Sequence, residues 1–218
     1  IPSPTGYTDA AISFLEDALK AFPEVKAERT KKGCLLVTVP GEHSSDGVKR
    51  ALTAHVDTLG AMVKEIKSDG RLRLTKIGGS RWAHVEGEYC KIFTAEGSTF
   101  TGTILMHQTS VHVYKDASTA ERNQENMEVR LDAKVTKDED VKKLGIAVGD
   151  FVAFDPRVEV LPSGFIKSRH LDDKASAGIL LYLLQELKEQ HIELPYTTHF
   201  LFSNYEEIGF GGNSNIPE

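Results

Sequence analysis

The sequence predicts an α/β fold interrupted by a β-rich insertion, and three observations carry that expectation. The two ends of the chain, roughly 1–60 and 166–218, mix amphipathic helix patterns with short apolar strands. The middle, roughly 61–165, switches to strand-like runs separated by glycine. A long apolar helix pattern returns at 174–190, followed at once by another apolar strand.

Taken in order, residues 8–22 carry Ile12, Leu15, Leu19 and Phe22 on one helical face, with Thr8 or Asp9 to cap the start and Pro23 to stop it. Residues 34–39 read as a strand closed by Pro40-Gly41, and residues 51–56 as a strand running into Asp57. Within the insertion, residues 61–66, 72–77, 89–93, 101–105 and 151–154 read as strands, punctuated by Gly70, Gly78-Gly79, Gly97, Gly149 and Gly164. Residues 138–144 form the one helix pattern there, and the polar run 115–128 reads as an exposed loop. Beyond it, Ile179, Leu180, Leu183, Leu184 and Leu187 make a wide apolar helix face, and residues 197–202 a buried strand. The expected division is a first catalytic α/β part over 1–60, an inserted β-rich unit over 61–165 and a second α/β part over 166–218.

Composition narrows the function classes. At 218 residues, with 40% hydrophobic and 27% charged, the chain reads as folded and not as a disordered tail. A net charge of -6, with lysines interleaved among acids, argues against a nucleic-acid partner. No apolar run reaches the roughly 20 residues that span a bilayer, so no membrane partner is expected. Ile1-Pro2-Ser3-Pro4 has neither the basic nor the apolar part of a signal peptide, and the missing Met predicts that residues precede Ile1. Cys34 and Cys90 are expected to be buried free thiols, which fits a reducing, cytoplasmic setting.

Three clusters could carry chemistry, all at predicted strand ends, where open α/β sheets place their ligand sites. The first is Ala54-His55-Val56-Asp57. A two-residue spacing puts both side chains on one side of the pleat. The imidazole can ligate Zn²⁺ or Co²⁺, and Asp57 is placed to hold its other nitrogen or to orient a nearby group. The bland alternative is a structural His-x-Asp pair. The second is His170-Leu171-Asp172-Asp173-Lys174 at the start of the apolar helix. An N-cap with acids in the first turn explains one aspartate; a carboxylate bridging two cations would explain the pair. The third is Glu206-Glu207-Ile208-Gly209-Phe210-Gly211-Gly212. Adjacent glutamates are either simply solvated or divided between a metal and the proton of an activated water. The chain has no Gly-x-Ser-x-Gly elbow, no P-loop, no Gly-x-Gly-x-x-Gly fingerprint and no Cys-x-x-Cys.

These residues resemble the tetrahedral, or deblocking and glutamyl, dinuclear metallo-aminopeptidases. The resemblance rests on Thr53–Val63, Ile166–Lys174 and Tyr205–Gly209, in that order, with Pro4-Thr5-Gly6-Tyr7 and Gly149–Pro156 also matching in place. It runs over nearly the whole chain. It implies a zinc-exopeptidase-like mixed sheet flanked by helices, with an inserted barrel-like β domain. By it, His55 ligates one of two divalent ions (Zn or Co), Asp172 bridges both, Glu207 ligates the other, Glu206 is the general base and Asp57 supports His55. It also implies a cis peptide between Asp172 and Asp173, a peptide substrate, and a homo-oligomer, typically a hollow dodecamer. Thr58 stands where the family usually has an acid. The family's pattern has one more Asp and one more His ligand after the double glutamate, and these are expected beyond Glu218. A two-metal deacylase or carboxypeptidase, a glucanase label and a non-catalytic scaffold are the alternatives that this reading leaves open.

Overall fold

The computed structural model describes residues 1–211 apart from Ser44 and Asp46. The chain divides into two units, one made of Ile1–Thr58 with Arg157–Glu218 and the other of Leu59–Pro156. The fold is mixed α/β, with a closed β-barrel in the second unit.

The first unit is built on a four-stranded sheet in the order β1-β2-β12-β3. Its strands are β1 (Lys26–Arg29), β2 (Leu35–Val39), β3 (Lys49–His55) and β12 (Thr197–Ser203). β12 is central, antiparallel to β2 and parallel to β3. Phe200 and Phe202 on β12 point into a core shared with Ala11, Ile12 and Leu15 of helix α1 (Asp9–Leu19) and with Ala177, Leu180 and Leu184 of helix α3 (Leu171–Glu189). α1 is shorter than the 8–22 pattern: Phe22 reaches the same core from the turn after the helix, where its N–H bonds the Leu19 carbonyl at 2.8 Å. β1 was not foreseen. All four of its residues are exposed, and pairing with β2 and the bonds from Arg29 to Glu16 (2.6 Å) and Asp9 (2.9 Å) hold it. In α3, Asp172 and Asp173 are non-helical, so the regular helix begins near Lys174, as the sequence predicts. Ile179 departs from expectation: it is 64% exposed, and the face that packs runs through Ala177, Leu180 and Leu184. Residues 159–167 belong to this unit as a hairpin of β10 (Glu159–Val160) and β11 (Ile166–Lys167), so the β-rich unit ends at Pro156 and not at 165.

The second unit closes as a six-stranded barrel, β4-β5-β8-β7-β6-β9. Its strands are β4 (Gly60–Ile66), β5 (Leu72–Ile77), β6 (Tyr89–Phe93), β7 (Thr99–Met106), β8 (Met127–Leu131) and β9 (Phe151–Phe154), and helix α2 (Asp138–Lys143) contributes Val141 to its core. Closure removes the free strand edges that would otherwise invite pairing with other chains. β8 corrects the expectation of a loop through Glu128. Met127, Val129 and Leu131 alternate into the barrel core. Gly102 on β7 permits the close approach of β8: a Cβ there would stand 2.6 Å from Val129 Cγ1 and 2.7 Å from the Arg130 carbonyl oxygen. Cys34 and Cys90 are buried free thiols, one in each unit. Among the described residues no helix is long and apolar enough to cross a membrane.

Glu128 is 3% exposed yet charged, and it accepts bonds from Lys67 Nζ at 2.5 Å and from the Arg71 guanidinium. Burial alone would raise its pKa; the two cations outweigh burial and hold it below the ordinary 4.5. Because the folded pKa is depressed, the stabilisation is complete above about 4.5 and is lost as pH falls through the folded value. We expect Glu128→Gln to lower unfolding free energy by about 1–3 kcal/mol at neutral pH, and the difference from wild type to shrink under acid. Urea titrations at several pH values check both parts; a pH-independent difference would contradict the account.

Candidate active site

The parallel pairing of β3 with β12 sets Ser203 opposite His55, so both strands finish at the same end of the sheet. One further bond, Val56 N–H to the Ser203 carbonyl at 2.9 Å, carries the ladder past His55. After β12 the buried Asn204 anchors the chain, donating to the Lys32 carbonyl at 2.8 Å and accepting from the Cys34 thiol at 3.0 Å. Tyr205 then takes a left-handed conformation, φ 62 and ψ 17. Non-glycine residues reach that region at about 1–2 kcal/mol, and such outliers gather where geometry serves function. A single 3₁₀ turn, Glu206–Ile208, follows, closed by Gly209 N–H on the Glu206 carbonyl at 2.7 Å. Gly212, the last glycine of that motif, lies outside the described residues.

Asp57 joins these pieces. It is 0% exposed. Its Oδ2 accepts from Thr5 Oγ1 at 2.6 Å and from the Glu207 amide at 3.2 Å; its Oδ1 accepts from the Glu206 amide at 3.3 Å and lies 3.4 Å from His55 Nδ1. A carboxylate offers about four acceptor positions, and all are used. Burial would raise its pKa, but the bonds from His55, Thr5 and the two amides hold it low. His55 Nδ1 donates more closely to the Asp57 main-chain carbonyl, at 2.9 Å, than to the carboxylate. The carboxylate itself is turned chiefly toward Thr5 and the glutamate amides, so Asp57 both holds the ring and orients a neighbouring turn.

With Nδ1 occupied, Nε2 faces outward. It stands 3.0 Å from Asp172 Oδ1 and 3.5 Å from Glu206 Oε2. The Asp172-Asp173 peptide is cis, as the resemblance implies. The Asp172 side chain is 87% exposed, whereas Asp173 Oδ2 accepts the His55 main-chain N–H at 3.2 Å. Glu207 is half-buried; burial chiefly raises its pKa, His55 lowers it, and Asp172, Asp57 and Glu206 raise it further. The structure therefore gathers His55, Asp57, Asp172, Glu206 and Glu207, the five residues singled out from sequence. It adds two that were not read as functional, Asp173 and Thr5. The only sequence signal for Asp173 was that a simple cap explains one aspartate and not two.

Four carboxylates around one imidazole leave an excess of negative charge. Burial would lower the His55 pKa, but Asp57 and Asp172 push it up to about 9, so the site draws a proton to the place where a cation would sit. The donors are imidazole nitrogen and carboxylate oxygen, a set suited to Zn²⁺ or Co²⁺. Two ligands each about 2.1 Å from one tetrahedral ion stand about 3.4 Å apart, and Nε2 and Asp172 Oδ1, at 3.0 Å, would need to part only slightly to share one. Among the described residues no three His, Cys, Asp or Glu side chains form a ready-made metal cage. The residues present thus fit a divalent ion as part of its ligand set.

A sequence profile described as M42 glutamyl aminopeptidase matches residues 33–218. The chain is 64% identical over 217 residues to YhfE of Bacillus subtilis (strain 168), whose name carries a provisional aminopeptidase assignment; the match covers 100% of this chain and 62% of that protein. It is 25% identical over 207 residues to a lysyl aminopeptidase of Pyrococcus furiosus, covering 95% of this chain and 55% of that one. The TET1 peptidase of Pyrococcus horikoshii, described as assembling into a tetrahedron or a large octahedral shell, superposes with a TM-score of 0.77 at 25% identity, over 96% of this chain and 59% of that one. The chain therefore spans roughly half to two-thirds of the length of these relatives.

If Asp57 is the hub of the site, Asp57→Asn should cost about 1–3 kcal/mol of stability, because an amide cannot accept from all four donors. Urea unfolding of the metal-free protein measures this. An unchanged midpoint would show that the hub carries no net energy.

Proposed function

Because the chain belongs to the M42 glutamyl aminopeptidase family, we propose that the full-length protein is a metal-dependent aminopeptidase that releases N-terminal residues from peptides. In this reading His55 and Asp172 hold one divalent ion, Asp172 and Glu207 a second, and Glu206 is the general base. When bound, such ions polarise the scissile carbonyl and make water more acidic. The observation that carries the reading is the meeting of His55, Asp172 and Glu206 from three distant parts of the chain.

Each residue then has a task in the reaction. Asp57 and Asp173 fix the ring and main chain of His55. Asp57 also fixes the two amides that aim the Glu206-Glu207 turn. The Glu206 carboxylate takes a proton from the attacking water and delivers it to the nitrogen of the departing amine, so no net proton is gained or lost. Its 55% side-chain exposure leaves room for water and substrate to approach. Zn and Co both suit these ligands. The proposal extends to a homo-oligomer, a dodecamer in the resemblance, with subunit contacts on the β-rich unit. Exposed Tyr89, Val111, Val113 and Val148 on that unit support it. A cytoplasmic location belongs to the same reading.

The full-length protein should release nitroaniline from aminoacyl-nitroanilides, and a chelator should abolish the release. Glu206→Gln should retain metal and lose about 10²–10⁴-fold in kcat, whereas Glu207→Gln should lose metal. Absence of chelator-sensitive release would sink the proposal, and the opposite behaviour of the two variants would reverse their roles.

A further inference from the structure

The four donors to Asp57 are not equivalent. The Glu206 and Glu207 amides and the His55 ring belong to the groups being positioned. Thr5 does not. Its hydroxyl makes the shortest of the four bonds, 2.6 Å, and comes from the N-terminal strap, outside β3 and the glutamate turn.

The strap is itself fixed. Pro4 forms a parallel bridge with Thr58. The Thr58 amide donates to the Ser3 carbonyl at 2.9 Å, the Thr5 amide to the Thr58 carbonyl at 3.2 Å, and Ser3 Oγ to the Val56 carbonyl at 2.7 Å. Ser3 and Thr5 are both buried. The strap thus grips the chain on both sides of Asp57, and the threonine hydroxyl is the one side-chain group that it aims at the carboxylate. Threonine is branched at Cβ, which restricts χ1, so its hydroxyl has little freedom to turn away. Without it, the Asp57 carboxylate could rotate about its terminal bond, whose torsional well is broad, and the two glutamate amides would follow.

We propose that Thr5 is a positioning residue of this site, orienting the Asp57 carboxylate and through it the Glu206-Glu207 turn and the His55 ring. The inference rests on the peptidase reading for its kinetic consequence, though not for its structural one.

The test uses Thr5→Val, which keeps shape and removes the hydroxyl, with Thr5→Ala as a second hydroxyl deletion and Thr5→Ser as the rescue, all in the full-length protein. Amide hydrogen exchange in chelator-treated protein is the first readout. The Glu206 and Glu207 amides should exchange about fivefold faster in the Val and Ala variants, the effect of losing one net hydrogen bond, and return toward wild type in the Ser variant. Exchange in the barrel should not change. The second readout is turnover of an aminoacyl-nitroanilide: kcat should fall about 10–100-fold, as when a partner of a ligand is removed, with KM little changed. Unaltered exchange at both glutamate amides overturns the inference. So does a rise spread over the whole first unit that Thr5→Ser fails to reverse, because Thr5 would then be holding the fold and not the site. If wild-type protein releases no nitroaniline, the peptidase reading fails by itself and the exchange result still decides the role of Thr5.

Discussion

The site depends on one buried negative charge. Asp57 has no contact with solvent, and the groups that meet it are a hydroxyl, two main-chain amides and an imidazole. A lone carboxylate in that position would be very costly. Four donors from three segments make it tolerable, and in doing so they tie those segments together: the N-terminal strap, the end of β3 and the turn after β12. The same bonds that satisfy the charge therefore set the position of His55 and the direction of Glu206 and Glu207. Charge-assisted bonds of this kind are stronger than neutral ones, so the arrangement is stiff at the point where stiffness is useful.

The sheet makes the hub possible. β12 is buried along nearly its whole length, and its parallel register with β3 brings two strand ends to one place. Parallel strands need a long crossover, and here the chain between β3 and β12 includes the entire barrel and helix α3. The barrel has its own core of Leu72, Leu74, Ile92, Ile104, Met127 and Val129, so its folding does not draw on the residues of the site. The start of α3 supplies Asp172 and Asp173, which address two different atoms of His55.

Much of this was legible in the amino-acid sequence, because the signals were local. The strands at 35–39, 89–93 and 151–154 are short apolar runs bounded by turn residues, and the five site residues stand at ends of such runs or at a helix start. What escaped had non-local causes. β1 is Lys-Ala-Glu-Arg, with no apolar residue larger than Ala27 and none buried, and exists through pairing and Arg29. β8 alternates correctly, but it follows a polar run, and Glu128 is buried only because Lys67 and Arg71 come to meet it. Ile179 fits the helical period, yet the packed stripe of α3 is narrower than its apolar one. Thr5 and Asp173 are ordinary polar residues until folding brings Asp57 and His55 to them. A hydrogen-bond partner 52 or 118 positions away leaves no local pattern.

The central claim of the proposal is that the outward nitrogen of His55, whose ring Asp57 holds, and the exposed carboxylate of Asp172 share a divalent ion. Anomalous diffraction from crystals of the full-length protein grown with Zn²⁺ or Co²⁺ tests it directly. The account requires an anomalous peak at bonding distance, about 2.0–2.2 Å, from both His55 Nε2 and an Asp172 oxygen, with Thr5 still bonded to Asp57. A map in which Nε2 bonds Asp172 directly while the ions occupy other residues would contradict it.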